Sequence, residues 1–286
     1  MGYYKPSGKV DFPLTLLGTL IGAVVIAVLA YGYAFITELN PFIYVNFLVT
    51  IAYVFLVAFM IGIVRRMGKM RSSKGILIMS GILSLFGLAA VWVSFVSVVF
   101  EDGIAEVLAN FGHRMEILYH RSFSIGRALR SSSIEFSGGM LMALWIVEAL
   151  ILAAGPVFMI YFGTKDDSVF CEDCNKWADQ EKKYLKRSET VLDQQNIEDL
   201  IRSNRVHHLL DLATETNPEG LGEHYEITFT ACELCNKAHY LSVSKIVNTT
   251  NDKGEIDKDE TLIMPFYELD YHAVPKVVLA AQPVSK

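Results

Sequence analysis

Four cysteines stand in two copies of one short frame, Cys171-Glu-Asp-Cys174 and Cys232-Glu-Leu-Cys235, and the chain has no others. Two Cys-x-x-Cys turns can complete the tetrahedral four-sulfur shell that Zn²⁺ favours. Asn-Lys follows each frame, and asparagine tolerates the left-handed conformation with which a backbone curls around metal-bound sulfur. Since a closed shell leaves no position for substrate or water, we expect a structural Zn²⁺ ion on all four cysteines. Two redox dithiols, or unliganded buried thiols, are the alternatives.

Glu148 is the second residue whose position indicates chemistry, because it stands deep in an apolar run, between Val147 and Ala149. An ionisable group at such a depth faces protein or water rather than lipid. One interpretation is a proton or ion pathway. The other is a neutral carboxyl, or one that bonds to a neighbouring helix through Thr, Ser, Asn or Tyr. The polar partners that we expect are Asn46, Thr50, Ser80, Ser84, Ser94 and Ser97.

The elements that must position these groups divide the chain in two. The 286 residues are 52% hydrophobic, with a mean hydropathy of +0.34, and most long apolar runs fall in residues 1–163. Four runs, 12–36, 42–64, 75–100 and 139–162, reach the length of about 20 residues that crosses a bilayer. We therefore predict an all-α, four-helix transmembrane bundle in residues 1–163. The first run is too long for a cleaved leader and is interpreted as a retained helix.

The predicted orientation follows from basic residues. Those between the second and third spans are Arg65, Arg66, Lys69, Arg71 and Lys74, without an acidic residue among them. The positive-inside rule places this loop in the cytoplasm. Both termini then lie on the same side, so the protein is predicted to be a multi-pass integral membrane protein with cytoplasmic N- and C-termini. Cytosolic thiols stay reduced, which suits metal binding.

The loop at 101–138 is predicted to contain an amphipathic helix. Its apolar residues recur at helical spacing, and they are Ile104, Val107, Leu108, Phe111, Met115, Leu118 and Tyr119. We expect this helix either on the membrane surface or against a partner subunit. In the first span Gly18 and Gly22 form a small-xxx-small pair, which allows close approach of another helix, in the same chain or in another copy.

Residues 164–286 are predicted to form a cytosolic, α+β, zinc-ribbon-like domain. Strand patterns flank both cysteine frames, as they do in a ribbon whose metal joins two hairpins. The apolar periodicity at about 190–214 predicts a helical insertion between the frames. The four histidines of this half are expected at the surface, and they are His207, His208, His239 and His272.

Function is narrowed by what the sequence lacks. The net charge of −6 gives no support to nucleic-acid binding, and no nucleotide-binding loop or hydrolase motif is present. We expect no enzymatic activity and predict a structural or assembly subunit of a membrane complex, whose partners are lipid, other subunits or copies of itself. The alternative is an ion- or proton-conducting oligomer that uses Glu148 and is gated by the cytosolic domain. A lipid-modifying membrane enzyme has the least support.

Overall fold

The computed structural model describes residues 2–40, 42–120, 123–125, 134–136, 138–163, 169–178, 180–187, 192–203, 205–209, 222–232, 234–235, 239–250 and 256–269. The chain divides into two compact units. One unit is Ser7–Lys165, and the other combines Met1–Pro6 with Asp166–Lys286. His272 and the side chain of His207 lie outside the described residues, as do residues 210–214 of the predicted insertion.

The first unit contains five helices, α1 (Phe12–Leu39), α2 (Ile43–Met67), α3 (Ser73–Phe100), α4 (Ile104–His120) and α5 (Gly138–Gly163). All except α4 are long and apolar enough to cross a membrane, with mean hydropathies of 2.2 to 2.7 in their most apolar windows. At about 1.5 Å per residue, each of the four exceeds the roughly 30 Å of a hydrocarbon core. The four predicted apolar helices are confirmed, with bounds that differ by three residues or fewer.

Polar residues mark several of these helix ends. The side chain of Asp11 accepts a hydrogen bond from the Leu14 amide and caps α1, and the hydroxyl of Ser72 caps α3 in the same way. Helix α2 continues through Arg65 and Arg66, because positive charge in a last turn interacts favourably with the helix dipole.

Glycines allow α2 to lie close to both α1 and α5. A Cβ atom on Gly22 would stand 3.0 Å from Val64 Cγ2, and one on Gly155 would stand 2.8 Å from Val54 Cγ1. Gly18 faces the same Val64, at 3.4 Å. The glycine pair of the first span is therefore used within this chain, to seat α2.

Helix α4 occupies the first half of the 101–138 loop and confirms the amphipathic helix that the sequence predicts. Its fully buried Val107 and Leu118 pack with Val96 of α3. Arg114 forms an ion pair with Asp102 in the α3–α4 turn, where its guanidinium lies 2.6 Å from Asp102 Oδ2. A two-stranded pair, β1 (Phe123–Ile125) with β2 (Ile134–Phe136), follows.

The second unit is an α+β region. Its larger sheet is antiparallel, in the order β5 (Gln180–Arg187), β6 (Gly222–Ala231), β7 (His239–Thr250), β8 (Ile256–Glu268). The predicted helical insertion contains helix α6 (Gln194–Arg202) and a 3₁₀ turn, Val206–Leu209. Apolar side chains of α6 and of this turn pack against the sheet in a core of Ile197, Ile201, Val206, Leu209, Tyr225, Ile227, Leu241, Val243 and Met264.

The N-terminal residues belong to this second unit. Tyr3 forms a bridge with Tyr267, and the Tyr4 amide donates to the Phe266 carbonyl at 2.8 Å. The Glu268 amide donates in turn to the Gly2 carbonyl at 2.9 Å. Residues 2–4, which we call the N-terminal strap, therefore extend the sheet beside the end of β8.

Candidate functional site

The first cysteine frame is the turn of a small hairpin. Strand β3 (Val169–Cys171) pairs antiparallel with β4 (Lys176–Ala178), and Cys171 stands opposite Lys176. Asn175 has a φ of 51°, the left-handed conformation that the sequence predicts behind a metal-binding turn. The turn is thus closed by a residue that tolerates this conformation at low cost.

The second frame joins two strands of the large sheet. Strands β6 and β7 pair from Gly222↔Asn248 to Ala231↔His239, and Cys232 follows the last pair directly. Asn236 lies outside the described residues. Because each frame ends a hairpin, the backbone presents both pairs of sulfurs at strand ends.

The two frames come together in space. The four cysteine sulfurs lie within 4.8 Å of one another, and Cys171 Sγ is 3.6 Å from Cys235 Sγ. Zn–S bonds of about 2.3 Å would set sulfurs about 3.8 Å apart in a tetrahedron. None of the four cysteines is in a disulfide, and Cys171 and Cys232 are buried. The arrangement could hold one metal ion.

The crowding of the thiols explains why a cation would stabilise the cluster. The hydrogen bond with Cys235, followed by burial, raises the pKa of Cys174 to about 12. Burial raises the pKa of Cys171 as well. Without a cation, thiolates are therefore disfavoured at this position, whereas a bound divalent ion would compensate their charge.

Aromatic residues support the first hairpin, and two of them, Tyr4 and Tyr240, were missed by sequence reasoning. The hydroxyl of Tyr4 accepts a hydrogen bond from the Phe170 amide at 3.2 Å. The ring of Tyr4 lies edge-on to that of Tyr240, with centroids 5.4 Å apart, while Phe170 makes a similar contact with Trp177. The sequence signal that could have indicated this contact is the pair of consecutive tyrosines in a polar N-terminal segment.

The surface position that the sequence predicts for His239 is wrong. This residue is only 8% exposed, because it starts β7, a central strand with neighbours on both sides. Its carbonyl also accepts a hydrogen bond from the Leu269 amide at 2.9 Å. His208 is exposed, as expected.

In the helical unit, Glu148 of α5 has a direct partner on another helix. The hydroxyl of Tyr33, from α1, is hydrogen-bonded to Glu148 Oε1. The same hydroxyl lies 2.9 Å from Thr50 Oγ1 of α2, and Thr50 Oγ1 lies 2.9 Å from the Asn46 carbonyl. Asn46 in turn accepts a side-chain hydrogen bond from Asn40 at 2.8 Å. The structure thus connects three helices through one line of polar groups.

The polar partners expected for Glu148 are only partly found in this line. Thr50 and Asn46 belong to it, one and two steps from the carboxyl. Ser80 instead bonds to the Leu77 carbonyl, and Ser97 to the Asp102 carbonyl. Tyr33, the direct partner, was missed because a tyrosine in an apolar span gives no distinct sequence signal.

Comparison with family models, with curated proteins and with solved structures finds no match for this chain.

Proposed function

We propose that this protein is a structural or assembly subunit of a membrane protein complex, and that its soluble domain is a zinc-stabilised interaction module. The observation that carries the proposal is the cluster of four sulfurs at the ends of two hairpins. Such a set suits a tetrahedral structural ion, with no ligand position left for substrate. The cluster therefore supports a fixed fold rather than a reaction centre.

Zinc is the ion that the donor set favours. Four thiolates in tetrahedral array are typical of structural Zn²⁺ or of iron–sulfur sites. Two short Cys-x-x-Cys hairpin turns correspond to the zinc-ribbon arrangement, in which one ion joins hairpins too small to be stable separately. Strands β3 and β4 have three residues each, so this hairpin has little independent stability.

The membrane orientation is part of the proposal. The pairing of the N-terminal strap with β8 supports an orientation in which the segment before α1 and the domain after α5 lie on one side of the bilayer. Four spans, an even number, return the chain to that side. The basic residues between α2 and α3 make this side the cytoplasm, which places the cysteines in a reducing compartment.

The module offers a surface that suits a protein partner. Residues 256–262 of β8 are exposed, and this stretch includes Asp257, Lys258, Asp259 and Glu260. Within the second cysteine frame, Leu234 is 61% exposed. An exposed apolar residue on a turn fixed by metal, and a separate charged stretch at the other end of the sheet, are groups that other subunits could recognise.

Co-purification tests the proposal. Cys171→Ser should lower the zinc content and reduce the yield of proteins that co-purify from native membranes in mild detergent. Glu172→Gln is the matched control, since it changes the same turn without removing a ligand. Equal recovery of the same partners from wild type and Cys171→Ser, despite lost zinc, would contradict the proposal.

A second candidate is an ion- or proton-conducting oligomer. The line from Glu148 through Tyr33 to Thr50 favours it, because polar groups that connect helices within a membrane are frequent in ion and proton pathways. Glu148→Gln should then change flux in reconstituted liposomes while assembly stays intact. Unchanged flux would remove this candidate.

A further inference from the structure

The number of protons available to the polar line determines the ionisation state of its acid. Three oxygen–oxygen contacts connect Glu148, Tyr33, Thr50 and the carbonyl of Asn46 in series. A separate hydrogen bond at each contact needs one proton between its two oxygens. The two hydroxyls supply two protons, and a carbonyl supplies none. A line of three separate hydrogen bonds therefore places the third proton on the carboxyl, which makes Glu148 the donor to Tyr33.

We infer that Glu148 is a proton-binding site, held as a carboxylic acid that donates to Tyr33. Tyr33 then donates to Thr50, and Thr50 donates to the Asn46 carbonyl, so that every contact is a hydrogen bond. A carboxylate would leave one of the three contacts without a proton. It would also place an uncompensated charge in an apolar bundle, which is costly. This inference deepens the second candidate function and rests on the same carboxyl.

The two hydroxyls also give this proton a route of exchange: a deuteron that Thr50 takes up from water passes through Tyr33 to the carboxyl, while the Asn46 carbonyl accepts a hydrogen bond and carries no proton. Thr50 lies seven residues into α2, about 10 Å from the helix start. Beyond it, the amides of Asn46 and Asn40 are hydrogen-bonded to each other at 2.8 Å, and both side chains are only half-buried. We assign this asparagine pair as the place where water approaches Thr50. Exchange replaces one proton by one deuteron and leaves the charge of the site unchanged.

Two neighbouring residues offer matched controls. Tyr53 is as buried as Tyr33, at 4% and 5% exposure, and their ring centroids lie 5.2 Å apart. The hydroxyl of Tyr53 donates to the Gly87 carbonyl and stands outside the line. Thr19 makes the same type of backbone hydrogen bond as Thr50, to the carbonyl four residues earlier, but in α1. Tyr53→Phe and Thr19→Val therefore repeat the chemical changes without touching the line.

Difference infrared spectroscopy of the full chain in phospholipid vesicles tests the inference. Wild type minus Glu148→Gln should show the carbonyl stretch of a protonated carboxyl, and this band should shift in D₂O. Tyr33→Phe should move the band to the frequency of a less strongly bonded acid, whereas Tyr53→Phe should not. This second comparison serves even when Glu148→Gln does not fold. Thr50→Val should slow deuterium exchange of the band several-fold, and Thr19→Val should leave its rate unchanged.

Carboxylate bands alone in the first difference spectrum would overturn the inference. A band that is insensitive to Tyr33→Phe would overturn it as well. Exchange at the wild-type rate in Thr50→Val would overturn the proposed route. Liposome flux is a separate measurement. If wild type shows a protonated carboxyl band and Glu148→Gln has unchanged flux, the conduction candidate is removed and the proton site is supported.

Discussion

Replacing Gly155 by alanine should destabilise the helical unit, because α5 packs tightly against Val54 of α2 at this glycine. A Cβ atom there would stand 2.8 Å from Val54 Cγ1 and 3.3 Å from Val54 Cγ2. Carbon atoms prefer separations of about 3.5–4.0 Å. The Val54 Cγ1 atom or the helix must therefore move by roughly 0.7 Å or more to restore an ordinary contact. Val54 is 6% exposed and belongs to the core of the bundle, so it has little space to move.

The expected cost is about 1–3 kcal/mol, the usual range for an extra methyl group in a packed interior. Alanine recovers part of this in helix propensity, since glycine is about 1 kcal/mol less favourable within a helix. The net loss relative to wild type should therefore be about 0–2 kcal/mol, and the loss relative to an alanine that meets no neighbouring atom about 1–3 kcal/mol.

Reversible unfolding in mixed micelles, followed by the exposure of a labelled site, measures this difference. Gly81→Ala is the control, because a Cβ atom at Gly81 meets nothing within 4 Å among the atoms compared. The double variant Gly155→Ala with Val54→Ala should be less destabilised than the sum of the two single variants, since Val54→Ala removes the clashing atoms. Equal stability of Gly155→Ala and Gly81→Ala would refute the close approach of α2 and α5.

Three further outcomes follow from other contacts. Arg114→Met should leave the carboxylate of Asp102, 15% exposed, without its ion-pair partner. We expect α4 to lose about 1–3 kcal/mol of local stability, measured by hydrogen exchange. Adding Asp102→Asn should restore part of this loss. The hydrogen bond from Tyr3 lowers the pKa of Glu198. The stability that this hydrogen bond contributes is therefore fully present above the ordinary pKa of a carboxyl group and is lost as pH falls through the lowered pKa of Glu198. The protection factors of the N-terminal strap amides, which correct for the slower intrinsic exchange in acid, should fall on acidification in wild type and be low already in Tyr3→Phe. A strap equally protected in both would contradict this. Finally, chelation of metal should speed proteolysis of the sheet unit in wild type but not in Cys232→Ser, which should be sensitive from the start; resistance in both samples would count against a structural ion.

Features encoded by short stretches of sequence could be predicted. Each apolar helix depends mainly on its own composition, and the cysteine frames show their common geometry by repetition. Asn175 illustrates this, because its side chain and position behind the turn were enough to predict a left-handed backbone. The same holds for α4, whose apolar spacing indicates the buried face that contains Val107 and Leu118.

Features that depend on contacts between residues distant in sequence could not be predicted. Tyr33 becomes the partner of Glu148, 115 residues away in sequence, only once α1 and α5 have both packed against α2 and α3. The N-terminal strap pairs with residues more than 260 positions later, around Tyr267. His239 is buried because strand order places β7 inside the sheet, and the sequence near that histidine does not specify strand order.

Zinc stoichiometry of the purified full-length chain tests the central claim most directly. Native mass spectrometry from detergent, with elemental analysis of the same sample, should give one zinc ion per chain and four cysteines without a disulfide. A metal-free chain with an intact fold, or sulfurs bonded to each other, would contradict a domain that depends on one ion between two hairpins.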